Sequence, residues 1–364
     1  MPEPHARRRA RLAAAVQDLG ADAALISRLV NVHYLTGLDS SNAALLVDAA
    51  GSAVLATDSR YITAAADVAP DLETVQVRQV ATELAKRAAA GGPIRLAVEE
   101  HDVTLALADS IKAAAENVEL VHLRRAVERM RVRKDDAELA LIRDACATSC
   151  RALEDLFAAG GLLGRRERDI ARDLEARMYE HGADGLAFET IVAAGPNSAI
   201  PHHRAADRRV ERGDLLKIDF GARVGGYHAD CTRTVVVGAA PAAWQREIYE
   251  IVAAAQRAGR QAAQPGAECN SVDSAAREVI KAAGYGEYFG HGTGHGIGLE
   301  VHEAPTIGYS AAGTLESRTP VTVEPGIYLP GRGGVRIEDT VVVSDDGGPE
   351  RLTTTTRELL VLDM

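Results

Sequence analysis

Cysteine is scarce in this 364-residue sequence, with only Cys146, Cys150, Cys231 and Cys269 present. No two form a C-x-x-C pair, so neither a zinc ribbon nor a disulfide-stapled framework is indicated. Cys146 and Cys150 stand one helical turn apart and read as small buried apolar residues. Long apolar runs are missing too: none approaches the roughly 18–20 residues of a membrane-spanning helix. The N-terminus is Arg-rich through Arg11, but the apolar stretch from Leu12 to Val16 is too short for a signal-peptide core, and Asp18 ends it. Basic charge is not in excess, since 41 Lys and Arg stand against 52 Asp and Glu for a net charge of −11. That balance argues against a nucleic-acid binder, whose footprint is basic. Short-period repeats and low-complexity segments are absent as well. The expectation is a soluble, cytoplasmic protein with neither nucleic acid nor membrane as partner.

The chain that remains is 46% hydrophobic and 26% charged, ordinary for a folded protein. At roughly 100–200 residues per domain, its length suggests two domains or three. In the first third, Ala43 to Val47 and Ala53 to Ala56 read as strands joined by a turn at Asp48 to Gly51. Ile94 to Val98 reads as a buried strand after Gly91-Gly92-Pro93. Helical patterns over Ala6–Leu19, Ala81–Ala90 and Leu105–Ala115 lie among them, which suggests an α/β unit. A charged stretch from Arg124 to Lys134 breaks the pattern. Asp135 and Asp136 can cap a helix beginning near Ala137, so the boundary falls between residues 1–134 and 135–364.

The second part carries Leu141, Ala145 and Ala147 on its first helix and Ile170, Leu174 and Met178 on the next. A third helix starts at Pro241 with Trp244, Ile248 and Val252, and a fourth runs from Ser271 to Gly284. Strands are expected at Phe188–Ala193, Asp214–Gly221, Tyr227–Val237, Val321–Leu329 and Val335–Val343. This part is α+β with antiparallel hairpins.

Both hairpins hold carboxylates where apolar residues belong. With a turn centred between Val224 and Gly225, Asp219 faces Asp230 directly across the ladder, roughly 4.5–5.5 Å apart at Cβ. Like charges so close need a cation or a shared proton between them, unless one Asp caps a turn and the other faces water. Glu324 and Glu338 are symmetric about a turn near Gly331, in Val- and Ile-rich strands where a carboxylate is rarely buried unpaired. A salt bridge to Arg336 could serve one Glu, hardly both. The run His291-Gly292-Thr293-Gly294-His295-Gly296-Ile297-Gly298, followed by His302, lacks G-x-G-x-x-G and the Lys of a phosphate loop. Its glycines allow close backbone approach and leave His291 and His295 as working side chains. His202, His203, His291, His295 and His302 are five of the chain's 11 histidines and share the domain of the acidic hairpins. Carboxylates with imidazole and no thiolate suit Mn²⁺, Co²⁺, Fe²⁺ or Zn²⁺ rather than Ca²⁺ or Mg²⁺. Four carboxylates exceed what one catalytic ion needs and fit a pair, whose chemistry is hydrolysis.

These residues, in this order, resemble the methionine aminopeptidase/prolidase/creatinase ("pita-bread") family. The likeness rests on Asp219-Phe220-Gly221 with Gly226 to Thr234, on His291 to Gly298 with Val301-His302-Glu303, on Thr322 to Gly326, and on Val335 to Asp339. Val32 to Gly37 and Thr57 to Tyr61 are similar to the family's N-terminal creatinase/prolidase domain, which methionine aminopeptidases lack. Creatinase shares the fold but not the ligands. The resemblance implies an α/β N-terminal domain, an α+β pita-bread catalytic domain with antiparallel sheet, and a homodimer. It also implies cleavage of the Xaa-Pro bond in peptides with proline second, by a prolidase acting on dipeptides or, alternatively, an aminopeptidase P acting on longer peptides. A remoter reading is a non-catalytic pita-bread binding protein. The implied ligands of two divalent ions, Mn²⁺ first and Co²⁺ or Zn²⁺ as alternatives, are Asp219, Asp230, His295, Glu324 and Glu338. Asp219 would hold one ion and His295 the other, with Asp230 and Glu338 bridging. Glu324 is read also as the proton shuttle. His202, His291, His302 and Arg336 are read as catalytic, with His202 or His302 donating to the oxyanion or the leaving imide. Arg336 would order neighbouring carboxylates or meet the substrate's terminal carboxylate.

Overall fold

The computed structural model describes residues 3–363. The chain divides into two compact units, Met1–Arg131 and Val132–Met364. Among the described residues no helix is long and apolar enough to cross a membrane. All four cysteines are free and buried.

The first unit is built on a six-stranded mixed sheet in the spatial order Glu73–Gln76, Ala53–Thr57, Ala43–Asp48, Ala23–Ile26, Ile94–Val98, Val118–His122. The middle pairs are antiparallel, Ala43–Asp48 and Ala53–Thr57 as a hairpin, and both flanks continue in parallel. Leu25, Leu46 and Leu96 from the sheet pack on Leu84 and Ile111 of helices Val80–Ala89 and Leu105–Ala114. The α/β expectation holds. The sequence reading missed strands Ala23–Ile26, Glu73–Gln76 and Val118–His122, of which the last two are short, partly exposed segments with no continuous apolar run.

The second unit opens with helix Asp136–Ala159, whose Asp135 caps it in a reciprocal box. The Asp135 carboxylate accepts from the Glu138 N–H at 2.9 Å, and the Glu138 carboxylate accepts from the Asp135 N–H at 2.9 Å. Such a box contributes about 1 kcal/mol and fixes where the helix starts. The third helix begins at Ala243 rather than Pro241, and the fourth at Cys269 rather than Ser271.

A four-stranded sheet, ordered Val361–Leu362, Cys231–Val237, Leu215–Phe220, Ile191–Ala194, divides two cores. Period-2 alternation sorts its residues. Leu216, Ile218 and Phe220 face helices Asp136–Ala159 and Glu167–Glu180 through Leu153, Leu156, Ile170 and Leu174. Leu215 and Val236 face the opposite way, toward Ile248, Val252 and Ile280 of helices Ala243–Ala262 and Cys269–Ala282. Along that second face the strand pair turns polar: Lys217 pairs with Thr234 and Asp219 with Thr232. The site grows from this polar end.

Three of the five expected strands are broken, each at a carboxylate, while Phe188–Ala193 and Asp214–Gly221 appear as the single strands Ile191–Ala194 and Leu215–Phe220. Tyr227–Val237 splits into Tyr227–His228 and Cys231–Val237 around Asp230; Val321–Leu329 splits into Pro320–Val323 and Gly326–Leu329 around Glu324; Val335–Val343 splits around Glu338 into Gly333–Arg336 and Asp339–Val342.

Candidate metal centre

The register of the first hairpin differs from expectation. Arg223 pairs with His228 and Val224 with Tyr227, so the turn is Gly225-Gly226, one position later than the sequence reading placed it. Both glycines have positive φ, 58° and 80°, which a two-residue hairpin turn twisted to match its strands requires. Asp219 therefore opposes Thr232, and Asp230 is its diagonal neighbour on the same face. Asp230 still shares a donor group with Asp219 and Glu338. The two segments approach closely at Gly221, where a Cβ would lie 1.9 Å from the Ala229 carbonyl oxygen.

In the second hairpin, Val323 pairs with Asp339 and Gly326 with Arg336, one continuous register with Glu324 and Glu338 symmetric between them. The histidine segment is fixed from behind by helix Cys269–Ala282. Buried Asp273 accepts from the N–H and hydroxyl of Thr293 at 3.0 and 2.8 Å, and Arg277 donates to the His291 carbonyl at 2.6 Å. Gly294 lies against the neighbouring strand so closely that a Cβ would sit 2.0 Å from the Thr322 carbonyl oxygen. The Thr322 hydroxyl also accepts the His295 N–H at 3.1 Å. We expect Gly294→Ala to destabilise the protein by about 2 kcal/mol or more and to abolish turnover, since backbone rather than a flexible side chain must yield. Chemical denaturation with parallel assays measures both effects.

These elements meet at one cavity of about 400 Å³, whose wall includes His202, Asp219, Asp230, His295, His302, Glu324 and Glu338. Three groups of donor atoms lie within 4.8 Å of one another: Asp219 with Asp230 and Glu338, His295 with Glu324 and Glu338, and Asp230 with His295 and His302. Asp219 and His295 never share a group, while Asp230 and Glu338 each join Asp219's group to one of His295's.

The donor set fits a pair of divalent ions on this chain's own evidence. Asp219 and Glu338 are 7% and 1% exposed. Each has one oxygen secured, Asp219 by the Arg336 guanidinium and Glu338 by the Thr232 hydroxyl at 2.7 Å. The other oxygens, Oδ1 of Asp219 and Oε1 of Glu338, are buried without any hydrogen-bond partner. Buried anionic oxygens aimed at one another are costly unless a cation neutralises them. Burial, and after it repulsion from neighbouring carboxylates, pushes the carboxyls of Asp230 and Glu338 well above their usual range. Glu324 behaves oppositely: burial works to raise it, but His295 foremost, then His291 and Arg336, hold it down at about 2.

That asymmetry has a sign. A carboxyl raised in the folded state contributes stability below its unfolded pKa, near 4, and loses it as pH rises through the folded value. Asp230 and Glu338 thus destabilise the metal-free protein increasingly as pH rises from the unfolded value toward the raised folded one, and the same ionisation makes them available to a cation. The gap in melting temperature between metal-loaded and metal-stripped protein should widen over this range. Melts of both forms at each pH measure it; a constant gap would contradict the assignment.

The other candidates fall into place around this centre. His302 stacks edge-on with His295, ring centroids 4.2 Å apart, and burial holds its imidazole below its ordinary pKa. His202 and His203 both line the cavity, but the ring of His203 engages buried Glu167 at 2.8 Å. His291 is not part of the wall; its Nε2 lies 2.8 Å from the Tyr328 hydroxyl. Arg336 is 1% exposed and engaged at all three nitrogens, by Asp219, the Thr232 hydroxyl at 3.0 Å, the Tyr328 hydroxyl at 3.0 Å and the Pro201 carbonyl at 3.1 Å. It orders carboxylates, as one of its two expected roles required, but is not placed to meet a substrate carboxylate.

Sequence reasoning missed Thr232, Tyr328 and Lys217. Lys217 is fully buried, with Nζ 2.6 Å from the Ile200 carbonyl and 5.1 Å from the Tyr328 ring centroid. Thr232 was detectable: it lies two residues from Asp230 and so shares its face.

A site of carboxylates and imidazole on this fold defines a metal-dependent hydrolase, and comparison with known proteins specifies it. Residues 140–345 match the model of metallopeptidase family M24, and residues 8–133 match that of the creatinase/prolidase N-terminal domain. The chain belongs to metallopeptidase family M24, and the expected fold class and divalent-metal dependence hold. It is 43% identical to an Xaa-Pro dipeptidase of Pyrococcus furiosus over 265 residues, 72% of this chain and 74% of that one. An Xaa-Pro dipeptidase structure from Bacillus anthracis superposes with a TM-score of 0.92 at 35% identity, covering 98% of this chain and 100% of the other. An X-Pro aminopeptidase structure from Thermotoga maritima gives 0.88 at 38% identity, covering 96% and 98%.

Proposed function

We propose that this metallopeptidase hydrolyses the Xaa-Pro bond of dipeptides, with residues 135–364 as its catalytic domain and 1–134 as its N-terminal domain. The observation that carries the reading is the pair of buried, unpartnered oxygens on Asp219 and Glu338 inside a five-donor cavity. Asp219, Asp230, His295, Glu324 and Glu338 would hold two divalent ions. When bound, such a pair supplies a hydroxide near neutral pH and a positive charge against the scissile carbonyl. Mn²⁺ and a homodimer belong to this reading through the family resemblance; elemental analysis and sedimentation test them.

The chain's own residues do the rest. Glu324, ionised at neutral pH, takes the proton of the attacking water and returns it to the departing proline nitrogen. His202 and His302 stand in the cavity wall as donors to the developing oxyanion or to the leaving imide. Arg336 holds Asp219 in place, and Tyr328 bonds both Arg336 and His291.

The X-Pro aminopeptidase likeness favours a second reading, in which longer peptides with proline second are cut. Proline release from an Xaa-Pro dipeptide and cleavage of an Xaa-Pro-Xaa tripeptide, measured side by side with metal-stripped enzyme and added Mn²⁺, separate the two. Cleavage of the dipeptide alone supports the dipeptidase, preference for the tripeptide supports the aminopeptidase, and cleavage of neither revives a binding protein.

A further inference from the structure

A dipeptide differs from every longer peptide in one respect that this cavity must handle: its α-carboxylate follows the scissile bond by a single residue. The wall already holds five carboxylates, Glu189, Asp219, Asp230, Glu324 and Glu338. Two divalent ions would balance the four ligand carboxylates, which leaves Glu189 uncompensated, and a further anion beside it is repelled unless a cation meets it. Arg336 has its donors committed and lies outside the wall. Histidines aside, one basic side chain lines the cavity among the described residues, and it is Arg204.

Arg204 contrasts with Arg336 in every respect that matters. Its side chain is 83% exposed, and its ion-pair partner is Glu189, itself 66% exposed. Nε and Nη2 both donate to the same oxygen, Glu189 Oε2, at 3.2 and 3.0 Å. An exposed pair of this kind is screened by solvent and contributes little, so an incoming carboxylate can replace Glu189 readily. The local chain path supports the placement. His202, His203 and Arg204 all line the cavity; the His203 ring is held by buried Glu167, while His202 and Arg204 on either side of it are exposed.

We propose that Arg204 determines specificity in the dipeptidase activity, exchanging Glu189 for the terminal carboxylate of an Xaa-Pro dipeptide. The planar guanidinium can take that carboxylate in a two-pronged contact, which a longer peptide or an amide does not offer at this position. The inference rests on the dipeptidase reading, and the test keeps their failures apart.

The test is steady-state kinetics of the metal-loaded enzyme on Ala-Pro, its C-terminal amide and Ala-Pro-Ala. Arg204→Gln should raise KM for Ala-Pro about tenfold, the scale of one charge-assisted contact, with kcat and both other substrates unchanged. Arg204→Lys should recover part of the loss. Glu189→Gln should lower KM for Ala-Pro alone, because it frees the guanidinium. An equal rise for acid and amide marks a merely structural role and overturns the proposal, as does no change for any substrate. Failure of the wild type to cleave Ala-Pro with any metal sinks the dipeptidase reading itself, and this inference with it.

Discussion

Glu324→Gln is expected to leave a folded protein whose kcat has fallen by roughly 10²–10⁴-fold, the usual contribution of a positioned acid–base group. Gln keeps the shape of the side chain and a carbonyl oxygen, so the packing around it survives. The backbone N–H of residue 324, which donates to the Thr293 carbonyl at 2.8 Å, is untouched. What disappears is the capacity to take a proton. The wild-type group has it because three cationic or polar neighbours converge on the carboxylate: His295 Nε2 at 3.4 Å, Arg336 Nε at 3.9 Å and the Thr322 hydroxyl at 3.5 Å. Glu338 lacks that surrounding and is pushed the other way, and two carboxylates driven apart in this manner mark divided roles. Turnover at saturating metal, with circular dichroism and elemental analysis on the same samples, is the check. Near-normal kcat would refute the shuttle role, whereas loss of metal in step with activity would recast Glu324 as a ligand alone.

How legible these roles are in the sequence depends on how locally each is determined. The symmetry of Glu324 and Glu338 about Gly331 follows from counting along one hairpin, and the structure keeps that register across the break in the ladder. The first hairpin was harder to read because a one-residue shift of the turn moves each partner by two. The Gly225-Gly226 pair was the available signal, since a two-residue turn with both φ positive selects glycine. Same-face neighbours survive a shift of two, so Asp219 and Asp230 were grouped correctly despite the wrong register. The strand break at Glu338 was not legible, because Val and Ile on either side promise continuous strand, whereas Pro325-Gly326 directly after Glu324 was an available signal of a break there. Arg336 shows a different limit. Its charge and position in the sequence do not reveal that Asp219, Thr232, Tyr328 and Pro201 use its donors, which only the packing of four separate segments determines. His202 and His203 are indistinguishable as adjacent letters, and Glu167, 36 residues away in sequence, decides between them.

Asp230→Asn should separate stability from function by moving them in opposite directions. Asp230 is 5% exposed and shares donor groups with Asp219 and Glu338 on one side and with His295 and His302 on the other. No other position but Glu338 likewise joins the two ends of the set, so removing its charge weakens both. Losing a residue that merely supports a metal ligand costs roughly 10–100-fold in affinity or activity, which sets a floor for losing the ligand itself. Metal content should drop below two ions per chain, and kcat should fall by at least about 100-fold. Without metal the expectation reverses. Burial and the neighbouring carboxylates make an ionised Asp230 a source of strain, and a neutral amide of the same size relieves it. Metal-stripped Asp230→Asn should therefore melt at or above metal-stripped wild type at pH 8, where more of the wild-type penalty is present than at lower pH. The added stability on supplying Mn²⁺ should shrink by comparison. A variant that binds two ions and turns over normally would contradict the bridging role. One that melts lower than wild type in the stripped form would show that Asp230 supports the fold by contacts of its own. The opposed signs are what a site built around a cation requires, because the same convergence of carboxylates that opposes folding in its absence holds it when it arrives.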